Sequence, residues 1–141
     1  DRPDLRAKWD RTILLADAMA DNEKVKTGTR YDALRIIALG DWDKYGKKLI
    51  GYLQAGVDPE LNMGAVSGLS DMEVDAVPPA LIDALDHLDE TNRKLAIEAL
   101  TRTPERARQL LDAIERGAVR EDLITSEQLA DAKKAADVAG D

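Results

Sequence analysis

The stretch 103-TPERARQLLDAIERGAV-119 decides how the whole chain is read. Thr103 is a capping side chain, Pro104 fits the first helical position, and Glu105 places an acid in the first turn. Arg116 suits a helix end and Gly117 stops it. Between these signals Leu110, Leu111 and Ile114 form one apolar stripe, which predicts the inward face of an amphipathic helix. Glu105, Arg106, Arg108, Asp112, Glu115 and Arg116 are then its solvated sides rather than a charged site.

The same pattern recurs upstream, in a repeat of about 30 residues. "LIGYL" from Leu49 and "LIDAL" from Leu81 match "LLDAI" from Leu110, each with two adjacent apolar residues and a third at i+4. Before each lies a first helix whose apolar pair is Ile36 with Leu39, Val66 with Leu69, or Ile97 with Leu100. The interval from that Leu to the second motif is 10, 12 and 10 residues. Such spacing predicts a repeated helix-turn-helix, and no strand signal competes with it.

Local punctuation agrees. Asp58-Pro59-Glu60 repeats the start signal of Thr103-Pro104-Glu105, and Thr29 with Asp32 resembles a capping box. Gly56 sits where a C-cap glycine belongs, and Pro78-Pro79 belong in a first turn after Asp75. "LRAKWDRTILLADAMAD" places Leu5, Trp9, Ile13 and Ala16, with Leu15 and Met19, on the apolar stripe of a leading helix that closes a truncated earlier unit. After Gly117, Thr125 with Gln128 caps a short helix with a weak apolar face of Leu129, Ala132 and Ala136, ending in a frayed tail. Gly64 and Gly68 weaken their helix by about 1 kcal/mol each relative to Ala, so close helix approach is expected there.

The expectation is one all-α domain over 1–141, a right-handed α-solenoid of about three antiparallel pairs plus terminal helices. The leading helix falls in 1–24, the pairs in 29–56, 58–88 and 90–117, and the C-terminal cap or tail in 118–141.

Composition removes several chemistries. The 28 acidic residues exceed the 20 basic ones, and a net charge of −8 repels phosphate backbones, so nucleic acid is not an expected partner. No Cys is present, which excludes disulfides, thiolate nucleophiles, zinc–cysteine clusters and a CxxCH haem attachment within this stretch. Phe is also absent, so Leu, Ile, Val and Ala must build a closely packed core. No apolar run approaches the roughly 18 residues that span a bilayer, and no direct membrane insertion is expected. The first residue is Asp1 rather than Met, the expected mark of a processed or excised domain.

Paired helices with Ala and Leu at the inner positions resemble HEAT or HEAT-like repeats, although the unit is shorter than the roughly 40–47 residues usual there. More narrowly, "ALTRTPERARQLLDAIERGAVREDL", with "ALRIIALGDW" upstream, resembles the helical-repeat region of large secreted proteins of planctomycetes and related bacteria, the membrane-bound dehydrogenases or haem-binding proteins. The resemblance covers roughly Leu14 to Leu123. It implies a connector between a sugar-dehydrogenase-like propeller and a cytochrome c domain, an extracytoplasmic location, and a role in spacing, docking or partner binding. Neither catalytic part lies in this sequence, so no catalytic residue, metal or cofactor is carried over.

Chemical motifs are few. "GDWDKYGKK", Gly40 to Lys48, is similar to a phosphate loop, but five residues separate its glycines and Lys48 stands where Ser or Thr should hold Mg²⁺. "DMEVDAVPPALI" opens like a calcium loop with Asp71, Glu73 and Asp75, yet Ala76 replaces the turn Gly and Ile82 the bidentate Glu. His87 is the only histidine and has no second His or Cys to share a metal. Ser67, Ser70 and Ser126 lack any nucleophile motif around them. Trp9, Trp42, Tyr31, Tyr45 and Tyr52 are the aromatic candidates for a binding surface, though core packing is their expected role. The expected function is a non-catalytic scaffold or protein-interaction domain. The alternatives are a docking connector of a redox enzyme, or a carbohydrate-binding module using Trp42.

Overall fold

The computed structural model describes residues 3–137. They form eight α-helices and one 3-10 turn, with no strand among the described residues, so the fold is all-α. Contacts group the chain into two compact units, Asp1–Met72 and Glu73–Asp141. Their boundary falls inside the expected second pair at 58–88.

The first unit contains α1 (Pro3–Ala20), α2 (Thr27–Ile37), α3 (Trp42–Gly51) and α4 (Pro59–Ser70). Within it α2 packs between α1 and α4, and α3 packs on α4. The α2–α4 approach is close because α4 presents glycines. A Cβ on Gly64 would stand 3.3 Å from the Leu34 Cβ, and one on Gly68 only 2.7 Å from the Ala38 Cβ. The expected compensation for two helix-weakening glycines is therefore backbone-to-backbone packing.

The second unit contains α5 (Val77–Ala84), α6 (Glu90–Leu100), α7 (Pro104–Glu115), the 3-10 turn (Glu121–Leu123) and α8 (Ser126–Asp137). Here α7 touches α5, α6 and α8, and α6 touches α5 and α8. Arg106 of α7, expected on a solvated side, is only 8% exposed, and its Nη1 donates to the Ala99 carbonyl at 3.4 Å. Ala107, Leu110 and Ala113 form the buried stripe of α7, while Leu111 and Ile114 are half-buried. The inward face is thus rotated toward the small residues, which let neighbouring helices approach closely.

Several boundaries lie where the capping chemistry placed them. Thr103 Oγ1 accepts from the Arg106 amide at 3.1 Å, and Asp58 Oδ1 from the Glu60 amide at 2.8 Å. Thr125 and Gln128 exchange side-chain–backbone bonds of 3.0 and 2.9 Å in a reciprocal capping box. Gly117 holds φ of 80°, the left-handed conformation that follows the end of α7, and the Ala118 amide reaches back to the Ala113 carbonyl at 2.8 Å. Gly56 also has positive φ, 89°, but α3 ends at Gly51 with Tyr52 as its cap, so the expected C-cap at Gly56 is corrected to a turn in the loop beyond. The start of α2 is corrected too. α2 already begins at Thr27, with no side-chain cap on Lys26, and the Thr29 amide bonds to the Lys26 carbonyl at 3.0 Å. Thr29 therefore lies inside the first turn rather than before it.

The first repeat is also corrected, by two residues. Leu39 is 61% exposed and Ile36 half-buried, whereas Ala33, Leu34 and Ile37 are buried. This triplet matches Ala65-Val66-Leu69 and Ala96-Ile97-Leu100, all buried. α1 is corrected as well. Ile13, Ala16 and Ala20 are buried, but Leu5, Trp9, Leu15 and Met19 are exposed. With 18 residues against 11, α1 outreaches α2 by about 10 Å, so its N-terminal turns have no helix to pack on.

Candidate functional site

Among the described residues, every large exposed apolar side chain belongs to α1 or to the residue two beyond α2: Leu5, Trp9, Leu14, Leu15, Met19 and Leu39. Three of them, with buried Ile13 and Tyr45, line an open groove of about 520 Å³. Trp9 is 46% and Leu14 60% exposed. Gly40 and a balanced set of charges, Arg6 and Lys44 with Asp10 and Asp41, complete its lining.

The corner between α2 and α3 creates this groove. The Leu39 and Gly40 amides bond to the Ile36 and Ile37 carbonyls at 3.0 Å, closing α2 in a tight turn. Gly40 is pressed onto Tyr45 and Ile13; a Cβ there would lie 2.8 Å from the Tyr45 ring. With the corner seated on those two side chains, Leu39 is left facing out. Asp41 then caps α3, its Oδ1 accepting from the Asp43 amide at 3.2 Å.

Beside the groove, α1, α2 and α3 are tied by a polar clamp. Arg30 Nε donates to the Ala20 carbonyl at 2.8 Å, and the Tyr52 hydroxyl donates to Asp21 Oδ1 at 2.6 Å. Lys48 bridges Asp17 and Asp21. Asn62 Nδ2 reaches the Tyr52 carbonyl at 2.7 Å, adding α4 to the same knot. Partial burial alone would raise the Asp21 carboxyl, but the bonds from Lys48 and Tyr52 and the charges of Lys48 and Arg30 hold it below its ordinary 3.8. Burial likewise opposes the charged form of Lys48, and Asp17 and Asp21 outweigh it and raise the ammonium above its ordinary 10.5. For Tyr52, burial and the bond to Asp21 raise the phenol despite Arg30. These shifts describe groups held in their pH 7 states, and the cluster acts as a structural tie.

The clamp carries a testable pH dependence. A depressed carboxyl contributes stability above its unfolded pKa and loses it as pH falls through the folded value. Asp21→Asn is expected to cost about 1 kcal/mol at pH 7, a small figure because Asp21 is half exposed. Thermal melts of the two proteins should converge progressively as pH falls below the ordinary carboxyl value of 3.8. A constant gap down to pH 2 would show that Asp21 acts by packing rather than by charge.

The remaining sequence candidates resolve into local roles. In the phosphate-loop-like segment the Asp43 amide is taken by the Asp41 side chain, and the Lys44 and Tyr45 amides by the Asp41 carbonyl. The loop has no nest of free amides, and Lys48 serves the clamp. Trp42 is half-buried over Gly46, where a Cβ would meet the indole at 2.6 Å. Tyr31 is half-buried and packs along Gly64. Asp71 ends α4 and Ala76 precedes α5 at Val77, so helix occupies what would be the second half of a calcium loop. No group of three or more His, Asp or Glu that could hold a metal occurs among the described residues. His87 Nδ1 lies 3.2 Å from Asp86, its chain neighbour, and the Ser70 hydroxyl donates to the Ser67 carbonyl within α4. Ser126 opens α8. No described helix is long and apolar enough to cross a membrane.

Sequence reasoning missed both groove and clamp. The groove was hidden by the two-residue register error at Leu39. The clamp joins residues 10 to 31 positions apart on different helices, separations that no periodicity reports; only the i, i+4 pair Asp17 and Asp21 hinted at a shared cation. No family model, curated protein or solved structure matches the chain.

Proposed function

We propose that the chain is a non-catalytic helical-repeat scaffold, a protein-interaction domain of a larger extracytoplasmic protein, and that the Trp9–Leu14–Leu39 groove is its contact surface. The observation that carries this reading is the concentration of exposed apolar side chains around one groove. Exposed clusters of this kind mark interaction sites, and Trp is the side chain most enriched where interfaces gain their energy. The proposed architecture is a HEAT-like solenoid, supported by the triplets at Ala33, Ala65 and Ala96, which recur at intervals of 32 and 31 residues. The extracytoplasmic location rests on the sequence resemblance, and cell fractionation with an antibody to the chain tests it.

A display library of random peptides selected on the immobilised chain tests the groove. The expected result is a set of binders whose affinity falls at least about tenfold on Leu39→Asp and on Trp9→Ala, with unchanged far-UV circular dichroism. Both positions are exposed, so the substitutions leave the core intact. Binders indifferent to both changes, or no enrichment at all, would defeat the reading.

A further inference from the structure

We propose that residues 3–12 of α1 are a conditional arm, exchanging between helix and coil, whose ordering completes the groove; the inference rests on reading the groove as a contact surface. Every residue from Pro3 to Thr12 is exposed, and the first buried side chain of α1 is Ile13. From there to Ala20 the helix is anchored. Ile13, Ala16 and Ala20 lie in the core, and the Ala20 carbonyl accepts from Arg30 and from the Tyr52 hydroxyl. Helices in proteins owe most of their stability to burial of this kind, and a segment without it stands on its own propensity.

That propensity leaves the arm near balance. Pro3 and Asp4 suit a first turn, and Leu5, Arg6, Ala7, Lys8 and Arg11 favour helix, but Trp9, Asp10 and Thr12 favour it less. Thr12 also turns its hydroxyl back onto the Lys8 carbonyl at 2.9 Å, a bond that slightly weakens a helix interior. The anchored turns already supply a nucleus, so the arm extends or frays outward from Ile13 within about a microsecond.

The boundary between anchored and free helix runs through the groove. Ile13 and Tyr45 are buried, and the corner from Leu39 to Asp41 is seated on them, whereas Arg6, Trp9 and Asp10 come from the arm. When the arm uncoils, the groove keeps its floor and loses one wall with its Trp. A ligand that touches both parts binds only the ordered fraction, and its apparent affinity scales with that fraction. Its contact in turn draws the arm into helix. The helix–coil balance of ten exposed residues thus sets how much of the contact surface is available.

Hydrogen exchange on the full chain reads the arm directly. The Ala7–Thr12 amides, which a lasting helix would bond to carbonyls four residues back, are expected to exchange at least about a hundredfold faster than those of Ala16–Ala20 after correction for intrinsic rates. A display-selected peptide that requires Leu39 reads the groove. Arg11→Pro breaks the helix between arm and anchor at an exposed position outside the groove lining. It should weaken that peptide at least about tenfold at an unchanged urea midpoint, while Arg11→Ala leaves binding within about twofold. Ala7→Gly, also exposed and outside the lining, lowers the arm's helix–coil constant about fivefold and should weaken the peptide severalfold. Arm amides as protected as Ala16–Ala20, or a Leu39-dependent peptide indifferent to Arg11→Pro, overturn the inference and leave the contact-surface reading standing. A fast-exchanging arm with no selected peptide dependent on Leu39 or Trp9 sinks the contact-surface reading, and the arm's part in binding with it.

Discussion

Leu34→Ala is expected to destabilise the first unit by about 3–5 kcal/mol, while Leu39→Ala changes its stability by less than about 0.5 kcal/mol. Leu34 is fully buried in the middle helix of its unit, between α1 and α4, and truncation leaves a cavity that helices on both sides cannot both close. Leu39, five residues on and of the same type, has most of its surface in water. Since small domains are stable by roughly 5–15 kcal/mol, the first change removes a large share of the total. Urea denaturation of both variants measures the difference. Comparable losses would restore the inward assignment of Leu39 and with it the two-residue-shifted register.

Gly68→Val is the second large effect. The added Cβ alone would sit 2.7 Å from the Ala38 Cβ, closer than real contacts allow, and the two branches extend further into the α2 backbone. Overpacking of this kind costs typically 1–3 kcal/mol, and with no flexible side chain to yield, a loss of about 3 kcal/mol is expected. Gly51→Ala is the internal control. Nothing lies within 4 Å of a Cβ there, and α3 gains from the better helix former by up to about 0.5–1 kcal/mol. Opposite signs at the two glycines, read as melting temperatures, would confirm that close approach rather than glycine content governs α4. A stable Gly68→Val protein would mean that α2 and α4 are free to separate.

The sequence made the helix ends legible because capping is local chemistry. Thr103, Asp58, Thr125 with Gln128, and Gly117 each act within a few residues of themselves, so their patterns carry the geometry directly. The failures share a different cause. In "ALRIIAL", Leu34 with Ile37 and Ile36 with Leu39 have the same i, i+3 spacing, and only the position of α4 decides which pair is inside. Trp9 lies on the stripe of α1 as periodicity requires, yet a stripe is buried only as far as its neighbour reaches. The clamp was illegible for the related reason that its partners come from four different helices and the residues just beyond them.

That clamp has a further bearing on α1. The helix has a favourable acid, Asp4, in its first turn, but its C-terminal end carries Asp17 with Asp21 just beyond, against the polarity that the helix dipole favours, and no basic residue of its own stands in the last turn. Arg30 and Lys48, from α2 and α3, supply the missing positive charge at its final carbonyls and carboxylates. The C-terminal end of the leading helix is thus completed by cations borne on later helices, which couples its last turn to the folding of its neighbours.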